Sequence, residues 1–179
     1  GRTLHAGSFL ERDGDNLYNT SVVFGPDGDV LATYRKIHLF GFDTGEAVTL
    51  AAGGDIVTVE TPLGTTGLAT CYDLRFPEMF RALTEAGATA VIVPTGWPAA
   101  RIAHWDLLAA ARATENQVWF VGANSTGISN GTPMGGHTLV ADPWGEVSLG
   151  ETEVLVMDLD PDRPAQVRAQ FPVLRDRRL

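Results

Sequence analysis

Over the first third of the chain, apolar and β-branched residues gather in short runs: Leu4 to Leu10, Leu17 to Phe24 and Val30 to Tyr34. Between them lie Arg12-Asp13-Gly14-Asp15-Asn16 and Gly25-Pro26-Asp27-Gly28-Asp29, rich in the Gly, Asp and Asn that tight turns need. The pattern predicts a three-strand meander. Ile37 to Gly54 keeps no period and ends in Gly53-Gly54, as expected of a loop packed against a functional site. Strands are predicted at Ile56 to Glu60 and Thr65 to Thr70. Beyond Thr70 the period changes. Pro77 suits a first helical turn, Glu78 complements the positive end of the dipole, and Phe80, Leu83 and Ala86 recur at helical spacing until Gly87. Ala90-Val91-Ile92-Val93 reads as a buried strand that Pro94 stops. A helix from about Ala99 to Gln117 puts Ile102, Trp105, Leu108 and Ala109 on one stripe, and Val118 to Ala123 is a further apolar strand. A glycine-rich loop (Ser125 to Gly136), strands at His137 to Ala141 and Val154 to Leu159, and a short helix from Pro164 to Gln170 complete the reading. Strands alternating with helices predict an α/β layer fold in one domain over residues 1–179, with no internal repeat or linker.

Composition narrows the function. With 44% hydrophobic and 20% charged residues, the 179-residue chain has material for a core. Its formal charge of −9, with no dense run of Lys or Arg before the last few residues, argues against nucleic-acid and anionic membrane partners. No apolar stretch is long enough to span a bilayer, and Gly1-Arg2-Thr3-Leu4-His5 has no signal-peptide character, so a cytoplasmic location is expected. The single cysteine, Cys71, excludes an internal disulfide and a cysteine-based zinc site.

Cys71 falls where the strand Thr65 to Thr70 ends, just before the helix that Pro77 begins. Nucleophiles of α/β enzymes favour that junction, because backbone amides there can face a developing oxyanion. A lone cysteine is also, and more often, a small buried hydrophobe. A nucleophilic thiol needs a base and a cation nearby, since few unperturbed thiols are ionised at neutral pH. The polar candidates are Lys36, Glu46 and the four histidines. Lys36 sits among aromatics and aliphatics at a strand end, where a desolvated lysine fits, but the pattern alone favours an exposed strand-end lysine. Glu46 alone is a loop carboxylate. His104 reads as a helix-surface or packing residue, and His5, His38 and His137 have no distinguishing spacing.

Four segments, in order, carry a resemblance to a known family: Tyr34-Arg35-Lys36-Ile37-His38-Leu39-Phe40, Gly67-Leu68-Ala69-Thr70-Cys71-Tyr72-Asp73-Leu74-Arg75-Phe76-Pro77-Glu78, Ala111-Arg112-Ala113-Thr114-Glu115-Asn116-Gln117 and Asp142-Pro143-Trp144-Gly145-Glu146. Through them the chain resembles the nitrilase, or carbon-nitrogen hydrolase, superfamily, in particular its omega-amidase-like branch. The resemblance implies an α-β-β-α sandwich and a Glu-Lys-Cys catalytic set, with Cys71 as nucleophile, Lys36 as cation and Glu46 as an auxiliary glutamate. It implies that Lys36 and the Tyr72 amide hold the oxyanion of a small, carboxylate-bearing amide, that ammonia leaves, and that a thioester forms and is hydrolysed. It implies no metal or organic cofactor, and a homo-oligomer.

The family's principal glutamate precedes the lysine segment by more sequence than stands before Lys36 here. Glu11 belongs to a segment outside the catalytic set. An amino-terminally incomplete domain, lacking strand-helix units and inactive on its own, is therefore expected, with apolar sheet surface exposed; a truncated interaction module is the alternative. Cys71-Tyr72-Asp73 is similar to amidases rather than nitrilases. Arg75 matches a position near which related carbamoylases hold a carboxylate, but also fits a pairing with Glu78 or Asp73. Trp97 fits a pocket wall and a core position equally, and Asn124 is likewise ambiguous. A pairing of Cys71 with His104 or His137 is the remaining chemical alternative.

Overall fold

Alternation in the amino-terminal third folds as a meander. In the computed structural model, which describes residues 5–150 and 154–178, β1 (His5–Asp13), β2 (Asn16–Phe24) and β3 (Val30–Arg35) pair antiparallel in that order. Leu4, where the first predicted strand begins, lies outside the described residues. Gly14 takes φ 58° at the first central position of the two-residue β1–β2 turn, where a side chain would be strained. Phe9 and Leu10, on opposite faces of β1, remain 50% and 67% exposed.

The loop after β3 contains a single-turn helix, α1 (Glu46–Thr49). The chain then runs through β4 (Thr58–Thr61), β5 (Gly64–Leu68), α2 (Pro77–Glu85), β6 (Ala90–Thr95), α3 (Ile102–Asn116) and β7 (Trp119–Asn124). A small hairpin, β8 (Ile128–Ser129) with β9 (Thr132–Pro133), interrupts the glycine-rich loop, and β10 (Leu139–Ala141), β11 (Val147–Leu149) and α4 (Arg163–Gln170) follow. Six strands form one sheet in the order β11-β10-β7-β6-β5-β4. Its centre, β5-β6-β7, is parallel, with α2 and α3 as crossovers; both flanks are antiparallel.

Pro94 does not stop β6, which continues to Thr95. The β5–β6 ladder ends at Leu68–Ile92, with one further bond from the Ala69 N–H to the Ile92 carbonyl. Pro94 comes two residues later, pointing to that same vacated side, so its missing N–H breaks no ladder. Val154 to Leu159 is not a strand either. Leu155 and Leu159 lie against Ala90, Trp119 and Val140, while Val156 is exposed. Alternation is thus satisfied by a segment lying across a sheet face, whereas β11 provides the strand beside β10. The predicted helix at Ala99 to Gln117 begins with a 3-10 turn at Ala99–Arg101 before α3 proper.

Side-chain period decides the layers. Val91 and Val93 of β6 meet Phe80 and Leu83 of α2 and Trp105, Ala109 and Ala113 of α3 in the main core. Close approach there needs glycine: a Cβ on Gly122 would stand 2.6 Å from the Trp105 ring, and one on Gly67 2.9 Å from Leu83. The opposite face of β6 turns toward the meander, where Ile92, Ala6 and Val23 line one cavity. Helices, six-stranded sheet and meander therefore stack as three layers. Gly87, at φ 95°, closes α2 in a Schellman arrangement, with the Ala88 N–H on the Leu83 carbonyl and the Gly87 N–H on the Thr84 carbonyl.

Candidate active site

Cys71 leaves β5 through a sharp elbow. Its φ is 48°, in the left-handed region that a residue with a Cβ rarely occupies, and a 3-10 turn over Cys71–Arg75 starts with it. The turn is fixed from outside: Arg112 of α3, 5% exposed, donates from Nε to the Leu74 carbonyl at 3.1 Å and pairs with Glu115 at 2.9 Å. Half-buried, Cys71 faces a cavity of about 590 Å³.

Lys36 follows directly on β3 and is 2% exposed, so the exposed strand-end reading fails. Its N–H bonds the Asn19 carbonyl and its own carbonyl accepts the Gly53 N–H, which clasps the loop back onto the sheet. That return brings Glu46 to the lysine, with Nζ donating to Oε2 at 2.5 Å. The Phe40 N–H donates to the same oxygen at 2.9 Å, and Asn19 Nδ2 donates to Oε1 at 2.7 Å. Burial pushes the Glu46 carboxyl up, but the bonds from Lys36, Phe40 and Asn19 outweigh it and hold the group below its ordinary value of 4.5. Asn19 was indistinguishable in sequence from any strand asparagine, since its partner lies 27 residues away.

Asp73, fully buried, ties the two halves together. Oδ2 accepts from the Tyr34 hydroxyl at 2.7 Å and the Thr70 N–H at 2.8 Å; Oδ1 accepts from the His38 N–H at 3.0 Å and meets His38 Nδ1 at 2.8 Å. Tyr34 accepts from the Ile37 N–H at 3.0 Å. Residues flanking Lys36 and Cys71 thus share one carboxylate. Burial, with the Asp73 charge beside it, pushes the Tyr34 hydroxyl well above its ordinary range, so it stays a donor. The one sequence hint at this network is the i, i+3 spacing of Thr70 and Asp73 before a turn.

Cys71, Lys36 and Glu46 all line the 590 Å³ cavity, with Asn19, Thr70, Thr95, Asn124 and Thr138 on other walls. A smaller recess of about 60 Å³ opens at Cys71, walled by Tyr72, Arg75, Trp97 and Arg101. Arg75 pairs with neither Glu78 nor Asp73: its guanidinium lies 4.8 Å from the Trp97 ring centre and 6.0 Å from that of Tyr72. Trp97 serves both expected roles, walling the recess and packing on Trp105 at 2% exposure. Asn124 is a brace: Oδ1 accepts the Trp97 N–H at 2.7 Å, while Nδ2 donates to the Gly136 carbonyl. His104 and His137 are exposed and line neither space; His137 Nδ1 meets Asp106 at 3.1 Å and His104 Nδ1 meets Arg75 at 3.4 Å. Glu11 is engaged elsewhere, where Arg35 and Thr20 lower its carboxyl to about 2. Among the described residues, no three His, Cys, Asp or Glu side chains gather as a metal site requires.

Comparison with known proteins gives the family and the fold it shares. The chain is 43% identical to a 2-oxoglutaramate amidase of Paenarthrobacter nicotinovorans and 39% identical to an omega-amidase of Homo sapiens, over 98% of its own length in both cases. It spans 63% and 67% of those proteins, respectively. Among solved structures, the NitFhit protein of C. elegans superposes with a TM-score of 0.90 at 31% identity, over 98% of this chain and 46% of that one. An amidase from a Nesterenkonia species, solved as a mutant with acrylamide added to its active-site cysteine, superposes with a TM-score of 0.79 at 29% identity, over 97% of this chain and 68% of its own. Residues 2–169 match the carbon-nitrogen hydrolase family, and the chain belongs to that family.

Proposed function

We propose that the protein carrying this chain hydrolyses the C–N bond of a small, carboxylate-bearing amide, with Cys71 as nucleophile. The observation that carries this reading is one cavity shared by a strained cysteine and a buried Lys36 paired with the half-buried Glu46. The names of the relatives, 2-oxoglutaramate amidase and omega-amidase, support the substrate class.

Sγ of Cys71 attacks the amide carbonyl carbon. The resulting oxyanion is held by Lys36 Nζ and the Tyr72 N–H, and loss of one such donor typically costs about 3 kcal/mol of barrier. The nitrogen takes a proton from a general acid and leaves as ammonia. The resemblance assigns that proton to the family's principal glutamate. Water then attacks the thioester carbonyl, giving the carboxylate product and the free thiol. Glu46, accepting three hydrogen bonds and held below its ordinary value, is ionised at neutral pH. It therefore fixes the lysine instead of shuttling protons.

The test is ammonia release from ω-monoamides of short dicarboxylic acids by the complete gene product. Cys71→Ala and Lys36→Ala are expected to reduce it to background. Release that survives Cys71→Ala refutes the reading.

A further inference from the structure

The recess beside Cys71 places two cations where the proposed amide hydrolysis uses none. Arg75 and Arg101 wall it together, both half-buried. Neither forms an ion pair with a carboxylate among the described residues, although the chain carries 22 Asp and Glu, and Arg35, Arg112 and Arg163 each have one. Aromatic planes hold both guanidinium groups: Arg75 over Trp97 at 4.8 Å, Arg101 over Phe40 at 5.7 Å. Stacking occupies a face of the guanidinium and leaves the N–H edge of Arg101, which has no hydrogen-bond partner among the described residues, available to a planar anion, while one Arg75 N–H nitrogen meets His104 Nδ1 at 3.4 Å. Arg101 is also anchored through its backbone, since its carbonyl accepts the Trp97 indole N–H at 2.8 Å. At about 60 Å³ the recess has roughly the room of two waters, which suits a carboxylate and little more. It shares Phe40, Cys71 and Gly96 with the main cavity, so an anion seated there sits beside the thiol.

We propose that Arg101, acting with Arg75, makes this recess a carboxylate-binding subsite and selects short amides that carry an anionic group close to the scissile carbonyl. The proposal rests on the amide-hydrolase reading for its substrate. Its electrostatic content can be measured without turnover, because Cys71 is the only thiol in the chain.

The experiment compares alkylation of Cys71 by iodoacetate and by iodoacetamide, followed by intact-mass spectrometry. In both, Sγ displaces iodide and forms a thioether; the reagents differ in the carboxylate. The ratio of the iodoacetate rate to the iodoacetamide rate is expected to exceed that of free 2-mercaptoethanol. In Arg101→Gln it is expected to fall by about ten-fold, the lower end of the loss when a hydrogen bond to a charged group is removed, as suits a half-buried arginine. Arg101→Lys should retain an intermediate ratio, keeping the charge without the fork, and the remote Arg12→Gln should match the parent chain. A parent ratio no higher than that of 2-mercaptoethanol overturns the proposal, as does a ratio that Arg101→Gln leaves intact or that Arg12→Gln lowers equally. If the ratios behave as expected while the complete gene product releases ammonia from no amide, the subsite stands and the hydrolase reading falls. If ammonia is released while the ratios do not respond, the hydrolase reading stands and the subsite falls.

Discussion

At position 71 a side chain is kept where the backbone favours none. The left-handed φ of Cys71 costs a residue with a Cβ about 1–2 kcal/mol relative to glycine. Cys71→Gly is therefore expected to unfold at a higher urea concentration than Cys71→Ala, both variants lacking the thiol. Equal midpoints would mean that the elbow stores no strain. The Lys36–Glu46 pair gives a second expectation. Replacing Glu46 with Gln leaves an ammonium 2% exposed and without its counter-charge, and breaking a buried pair in this way costs about 3 kcal/mol. Because the Glu46 carboxyl is held below its ordinary value, its contribution is complete above about pH 4.5 and is lost as pH falls through the lowered value. Denaturant curves of the parent chain and Glu46→Gln should differ at pH 7 and converge in acid. Neither Lys36's burial nor its partner was legible locally. The local pattern favoured an exposed strand-end lysine, and the carboxylate that reverses that reading arrives on a loop with no period.

At the level of elements, what the sequence made legible is what period and turn chemistry control. The meander, α2 and α3 follow from alternation, Pro77, Gly87 and the stripe through Trp105 and Ala109. Pro94 and the segment Val154 to Leu159 did not, because both depend on where another strand stops or lies. Packing between elements is also checkable. Gly122→Ala would drive a methyl into the Trp105 ring, and overpacking of that kind costs about 1–3 kcal/mol. Thermal unfolding should show the loss. Gly7→Ala, where the added methyl meets no heavy atom within 4 Å, should stay close to the parent chain.

At the scale of the whole chain, a net charge of −9 over residues 1–179 surrounds a recess walled by two arginines. An anionic substrate is repelled at long range and attracted at short range. Salt at about 0.15 M screens beyond roughly 8 Å and so weakens the first effect more than the second. The rate at which iodoacetate alkylates Cys71 in this chain is accordingly expected to rise between about 10 mM and about 150 mM salt, while that of neutral iodoacetamide stays flat. An iodoacetate rate that falls with salt would show that attraction governs the approach of the anion. The shared carboxylate of Asp73 sets the behaviour of the site as a unit. The amides of His38 and Thr70, on separate segments, end on the two oxygens of one side chain, so a change at that carboxylate reaches both segments. Asp73→Asn should accelerate deuterium exchange at both amides: the lysine arm and the cysteine elbow loosen through a single substitution.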